Sequence, residues 1–188
     1  MRIDQVDTLI WKHDNKCIFS VKSFVSVLYK NNNREVEPNM YAFAKNLWKG
    51  LVPPRVELLV WFVILGKMNT KDRLFEIGMI RDVDANCVLC DAEWESVYHL
   101  FFGCKASLAI WDEALNHWGV SWSSPGEMKG CFESWMGVQV RREQKVLWMI
   151  VFFSIIWEIW SQRNAIIFKC GKFDLKKIKC NVAARALQ

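Results

Sequence analysis

The sequence predicts a mainly α-helical fold: a small N-terminal β-hairpin, a helical body and a C-terminal helical extension. Three observations carry this reading. Apolar residues recur at helical spacing between glycines and prolines along most of the chain. The run from Val146 to Trp157 is apolar on every side. Near the N-terminus, two short apolar runs flank a polar turn. With 188 residues, 52% of them hydrophobic and 24% charged, the chain can bury a core without disulfides.

The elements follow in order. Thr8–Trp11 and Cys17–Val21 surround a polar Asp14-Asn15 turn, which predicts the hairpin. Ser20 or Ser23 then caps a helix over 22–30 that carries Phe24, Val27 and Leu28 on one face. Residues 31–39 form a loop. A short helix over 40–50 presents Phe43, Leu47 and Trp48 and ends at Gly50. Pro53-Pro54 opens an apolar helix from Val56 to Leu65, because proline is tolerated in a first turn whose amides have no intrahelical partner. Thr70 is a fitting N-cap for a helix over Lys71–Ile77 that stops at Gly78.

An irregular segment follows, and His99 opens a helix reaching Trp118 with Leu100, Leu108, Trp111 and Leu115 on its apolar face. Residues 119–140 read as a connecting loop region, rich in turn formers at Ser121–Gly126. A long helix spans Arg141–Phe168. A last amphipathic helix, Asp174–Leu187, lines up Leu175, Ile178 and Val182. The apolar stretch of 146–157 ends at Glu158, short of the ~20 residues a bilayer span needs, so a core helix is favoured over a membrane contact, although Trp160 and the flanking basic residues resemble an interfacial belt. Abundant Trp and Phe at helical spacing read as core packing, although such rings could also stack on bases.

The irregular segment holds the chemistry. Cys87, Cys90, His99 and Cys104 stand in the order C-x2-C-x8-H-x4-C. Zn²⁺ favours four tetrahedral thiolate and imidazole ligands, and a closed shell of this kind is structural, with no open position for substrate. On this reading the Cys87–Cys90 turn meets the start of the His99–Cys104 helix across one structural Zn²⁺. The alternative is a set of reduced, buried thiols beside a core histidine. Cys17, Cys131, Cys170 and Cys180 fit no ligand spacing and read as packing residues. His13 and His117 stand apart from any nucleophile–base arrangement.

No phosphate-binding glycine loop or H-E-x-x-H motif occurs, and Glu93, Glu95, Asp112 and Glu113 show no catalytic pairing pattern. The sequence therefore predicts no enzyme and no small-molecule substrate. The start of the chain lacks an apolar signal core, and the clustered cysteines suit a reducing compartment, so an intracellular location is expected. The net charge is +5, concentrated after residue 168, where Lys176, Lys177 and Lys179 are candidate nucleic-acid contacts. The same lysines also suit the solvated face of a docked helix.

These residues carry a resemblance. The order Trp11, Phe19-Ser-Val-Lys-Ser23, Leu47-Trp48, Pro53-x2-Val56, Trp61, Thr70-x2-Arg73-Leu74, Cys87-x2-Cys90, Glu95-Ser96-x2-His99-Leu-Phe-Phe-x-Cys104 and Trp111 resembles the reverse-transcriptase zinc-binding domain of plant LINE-type (non-LTR) retrotransposons. It covers roughly 8–115. The stretch from Ile156 to Asn164, with Ile167-Phe168, is similar to the segment that leads toward an RNase H domain in such polyproteins.

The resemblance implies three parts: a zinc-binding-like domain over 1–118, the connecting region 119–140, and a helical extension over 141–188. It implies zinc ligation by Cys87, Cys90, His99 and Cys104. It also implies RNA or DNA as partner, or reverse transcriptase and RNase H segments of related polyproteins. No polymerase aspartate pair or RNase H carboxylate set is recognisable, so the chain is expected to be a severed, non-catalytic part of such a polyprotein.

Overall fold

The computed structural model describes residues 10–12, 18–20, 23, 27 and 43–186. The chain divides into two compact units, Met1–Met40 and Tyr41–Gln188.

In the first unit the predicted β-hairpin is not supported. Its Asp14-Asn15 turn lies outside the described residues, and residues 10–12 and 18–20 on either side form no strand. Ile10 and Ile18 are 60% and 65% exposed, and although Trp11 packs edge to face on Phe19 at 5.2 Å, this burial is slight for a two-stranded ribbon, which is marginal alone. The expected helix over 22–30 is described only at Ser23 and Val27, both helical. Ser20 and Ser23 exchange side-chain to backbone hydrogen bonds, Ser23 N–H to Ser20 Oγ at 3.1 Å and Ser20 N–H to Ser23 Oγ at 3.2 Å. This reciprocal pattern is that of a capping box.

The second unit is helical. Its described elements are α1 (Ala44–Leu47), α2 (Pro54–Ile64), α3 (Lys71–Glu76), α4 (Lys105–Trp118), α5 (Met128–Gly137), α6 (Lys145–Lys169) and α7 (Leu175–Ala186). Short 3₁₀ turns cover Asp82–Asp84 and Arg142–Gln144, and a π turn covers His99–Gly103. Among the described residues the sole β pairing is an isolated antiparallel bridge between Asn86 and Trp94.

Helix α6 is the axis. It packs against α2, α4 and α7, and it touches the π turn. Residues Val151 to Ile156 are all buried, which explains why this stretch is apolar on every side. By length and composition α6 could cross a membrane. Here it is a core helix whose buried charges are matched. Glu158 accepts from Asn181 at 2.9 Å and from Arg185 at 3.0 Å, tying α7 down. On α7, Ile178 and Val182 are buried as the apolar stripe predicts. Asp174 caps its start, accepting from Lys177 N–H at 3.0 Å.

The segment 119–140 contains more order than the turn-rich sequence predicts, because ten of its residues fold as α5. Cys131, Phe132 and Trp135 of that helix are fully buried. Trp135 stacks on Trp148 of α6 with centroids 4.0 Å apart and planes 8° from parallel. Each indole N–H donates to the other residue's carbonyl, at 3.1 and 2.9 Å. Two large rings are thus buried with both polar handles satisfied. Trp111, Trp122, Phe102 and Phe152 extend the aromatic core around this pair. The expected apolar face of α4 needs one correction: Leu108 is 40% exposed, and Ile110 takes the buried position.

Candidate metal centre

Two local structures build the site. The first is a knuckle over 85–95. Glu95 N–H donates to Ala85 O at 2.9 Å and Cys87 N–H to Glu93 O at 2.7 Å, which folds the segment back on itself. Asp91 N–H donates to Cys87 O at 2.7 Å, and Asp91 takes a left-handed φ of 53°. Asp is one of the few non-glycine residues that visit this region readily. The reversal turns Cys87 and Cys90 toward one point.

The second is the turn carrying His99 and Cys104. On an α-helix, residues five apart point about 140° away from each other. The chain does not continue as the single helix predicted from His99. Cys104 N–H bonds to His99 O at 2.6 Å, closing a wide π turn, and Cys104 itself is extended, at φ −70° and ψ 130°. Helix α4 starts one residue later. This break frees carbonyls, and side chains recover them: Ser107 Oγ donates to Leu100 O at 2.6 Å and Trp111 Nε1 to Phe101 O at 2.7 Å. Ser96 Oγ accepts from His99 N–H at 3.0 Å at the entry. The wide turn therefore brings His99 and Cys104 together at little polar cost.

The four predicted ligands meet. Their donor atoms lie within 4.8 Å of one another, the one such cluster of Cys, His, Asp and Glu among the described residues. Cys87 Sγ is 3.9 Å from Cys104 Sγ, and Cys90 Sγ is 3.3 Å from His99 Nε2. Tetrahedral zinc with ordinary bond lengths sets S···S near about 3.8 Å and S···N near about 3.5 Å, so the arrangement fits the ion. Cys87, His99 and Cys104 are buried and Cys90 is partly so.

The thiols are electronically unequal. The hydrogen bond from Cys87, with help from the backbone at Ser107 and Ala106, lowers Cys104 to about 5. The same bond, and then burial, push Cys87 well up. A thiolate at the start of α4 is favoured there as any anion is at a helix N-terminus.

Two features around the ligands were not legible in the sequence. Glu93 Oε2 sits 3.3 Å from His99 Nδ1, leaving Nε2 for the metal. A carboxylate on the far nitrogen fixes the tautomer and ring orientation of a metal-bound histidine. The second is a buried ion pair. Arg163 of α6 donates to Glu95 Oε1 through Nη2 at 2.8 Å and Nε at 3.1 Å, with side chains 4% and 0% exposed. Arg163 also reaches Asn69 O at 3.3 Å, and Lys71 N–H donates to Glu95 Oε1 at 3.2 Å. Glu95 thus joins the knuckle, the start of α3 and α6. The other buried carboxylates also have structural partners: Glu57 accepts from Gly50 N–H at 2.7 Å, and Glu158 binds α7.

The remaining candidates fall elsewhere. Lys176 and Lys177 are exposed on α7, while Lys179 is drawn into an ion pair with Glu113 at 2.7 Å. Cys131 is buried, which raises its thiol, and it hydrogen-bonds with Ser124 at 2.9 Å; Cys170 and Cys180 are exposed. Cys17 and His13 lie outside the described residues. His117 is exposed on α4.

The family model described as zinc-binding in reverse transcriptase matches residues 19–111. An Arabidopsis thaliana protein named "Putative ribonuclease H protein" is 27% identical over 189 residues, covering 93% of this chain and 26% of its own length. The chain therefore spans about a quarter of that relative. No solved structure matches it significantly. Over 19–111, a range that takes in all four ligands, the chain is similar to the zinc-binding segment of reverse transcriptases.

Proposed function

We propose that this chain is a non-catalytic zinc-binding module of a retrotransposon reverse-transcriptase polyprotein, of the plant LINE-type (non-LTR) class. One Zn²⁺ held by Cys87, Cys90, His99 and Cys104 would fasten the knuckle to the helical body. The observation that carries this reading is the meeting of four donor atoms within 4.8 Å inside the stretch matched by a reverse-transcriptase zinc-binding family. Four protein ligands close the coordination shell, so the bound ion would contribute folding energy and not activate water. The 27% identity to a relative named for ribonuclease H agrees with a polyprotein origin. The test is thermal unfolding with and without a strong chelator, beside Cys90→Ser. Both treatments should lower the melting temperature, and an unchanged curve after verified metal removal would discard the site.

Nucleic-acid contact is the natural task for such a module, and Lys176 and Lys177 are the exposed lysines that support it. Lys179 would contribute less, since Glu113 already pairs with it. Binding to single-stranded RNA should weaken steeply with salt, and Lys176→Gln with Lys177→Gln should flatten that slope by about 1.4. A slope unmoved by the double substitution argues for the second reading, a docking piece for neighbouring polyprotein segments.

A further inference from the structure

We infer that the exposed apolar residues between the end of α3 and Trp94 of the knuckle form a docking surface for a basic, amphipathic polypeptide segment. Five large apolar side chains stand in solvent within this short stretch: Phe75 (37% exposed), Ile77 (51%), Met79 (69%), Val83 (71%) and Trp94 (50%). Phe75 and Trp94 pack edge to face at 5.2 Å, so the end of α3 and the returning limb of the knuckle form one patch. Helix α3 buries none of its residues. It is held by backbone and polar bonds at its start, Asp72 N–H to Glu95 O at 3.2 Å and Lys71 Nζ to Asn86 O at 2.7 Å. A helix anchored at one end, with its aromatic residue at the surface beside Trp94, leaves an exposed apolar patch of the kind that marks an interaction site.

Charge identifies the occupant. Residues 71–94 contain Asp72, Glu76, Asp82, Asp84, Asp91 and Glu93 against Lys71, Arg73 and Arg81, net −3 in a chain of net +5. Both arginines are exposed but already paired within the segment, Arg73 with Glu76 and Arg81 with Asp84, each at 3.3 Å, which leaves Asp72, Asp82, Asp91 and Glu93 against Lys71. An acidic apolar patch repels phosphates, so neither nucleic acid nor an anionic membrane suits it. Among the described residues, the basic helix of a second copy does not supply this occupant. The basic helix α7 has already buried its apolar stripe, Ile178 and Val182, and cannot offer both halves of the complement. The partner is a polypeptide that presents apolar side chains flanked by Lys or Arg.

The probe is a short fluorescent helical peptide of Leu and Lys, titrated onto the full chain as purified, with a Leu/Glu peptide and oligouridine as comparators. The Leu/Lys peptide should bind and should protect the amides of 75–94 from hydrogen exchange. Met79→Lys with Val83→Lys, both at highly exposed positions, should weaken it at least about tenfold with the melting temperature unchanged. Trp94→Ser, compared at matched metal content, is the second variant and should act in the same direction. The inference is overturned if the Leu/Lys peptide fails to bind, if both variants bind it at full affinity, or if protection falls outside 75–94. Equal protection of 75–94 by oligouridine or the Leu/Glu peptide overturns it too. None of these outcomes depends on the identity of the metal.

Discussion

At the scale of residues, the carboxylate of Glu93 and the guanidinium of Arg163 support the Cys87–Cys90–His99–Cys104 cluster from outside it. Glu93 orients His99 through Nδ1. Glu93→Gln keeps the volume but loses the charge, and zinc affinity measured by competition with a chromophoric chelator should fall by roughly ten- to a hundredfold. Arg163 neutralises a carboxylate with no exposed surface. Arg163→Met leaves Glu95 buried and uncompensated, which costs about 3–5 kcal/mol in denaturant unfolding. The double variant Arg163→Met/Glu95→Gln should recover part of that loss, and a double variant no better than the single one would remove the ion pair from the account. Neither pairing was legible in the sequence. Glu95 and Arg163 are 68 residues apart, and nothing in local spacing reports a contact made by folding.

Helix boundaries show which signals were readable. The start at Pro54 and the left-handed Gly78 after α3 follow from local steric preference, which is why they could be read directly; Thr70 does sit at the N-cap of α3, but its hydroxyl donates to Asp72 Oδ1 at 2.6 Å and makes no cap bond. Helix α5 was missed because Ser-Pro-Gly precedes it, Gly130 lies inside it, and its formation depends on burying Trp135 against Trp148. Trp148→Phe keeps a ring but abandons the carbonyl of Trp135; chemical denaturation should show a loss of about 1–3 kcal/mol. Helix α6 ends differently. Cys170 holds φ 51°, and a Cβ on Gly171 would sit 3.1 Å from the Ala165 backbone. Cys170→Gly should therefore stabilise by up to ~1 kcal/mol, whereas Gly171→Ala should destabilise, both read from melting curves. The failed hairpin belongs to the same lesson. Two apolar runs and a polar turn satisfy the pattern, but a ribbon needs a face to bury, and Ile10 and Ile18 are largely exposed.

At the scale of the second unit, the metal centre and the long helix form one construction. The π turn lies against α6, the knuckle is clamped by Arg163, and α7 is clamped by Glu158. The clustering of Cys87, Cys90, His99 and Cys104 was legible because metal ligation would require such spacing; how α6 braces the cluster was not, because it depends on packing. Loss of the ion should therefore loosen α6 as well as the knuckle, visible as faster hydrogen exchange near Arg163 after chelation. The central claim is the closed Cys87–Cys90–His99–Cys104 zinc site. X-ray absorption at the zinc edge on the metal-quantified full chain tests it most directly. One zinc per chain with three sulfurs near about 2.3 Å and one nitrogen near about 2.0–2.1 Å is the predicted result. Zinc below stoichiometry, or a shell containing oxygen in place of one of these ligands, would contradict it.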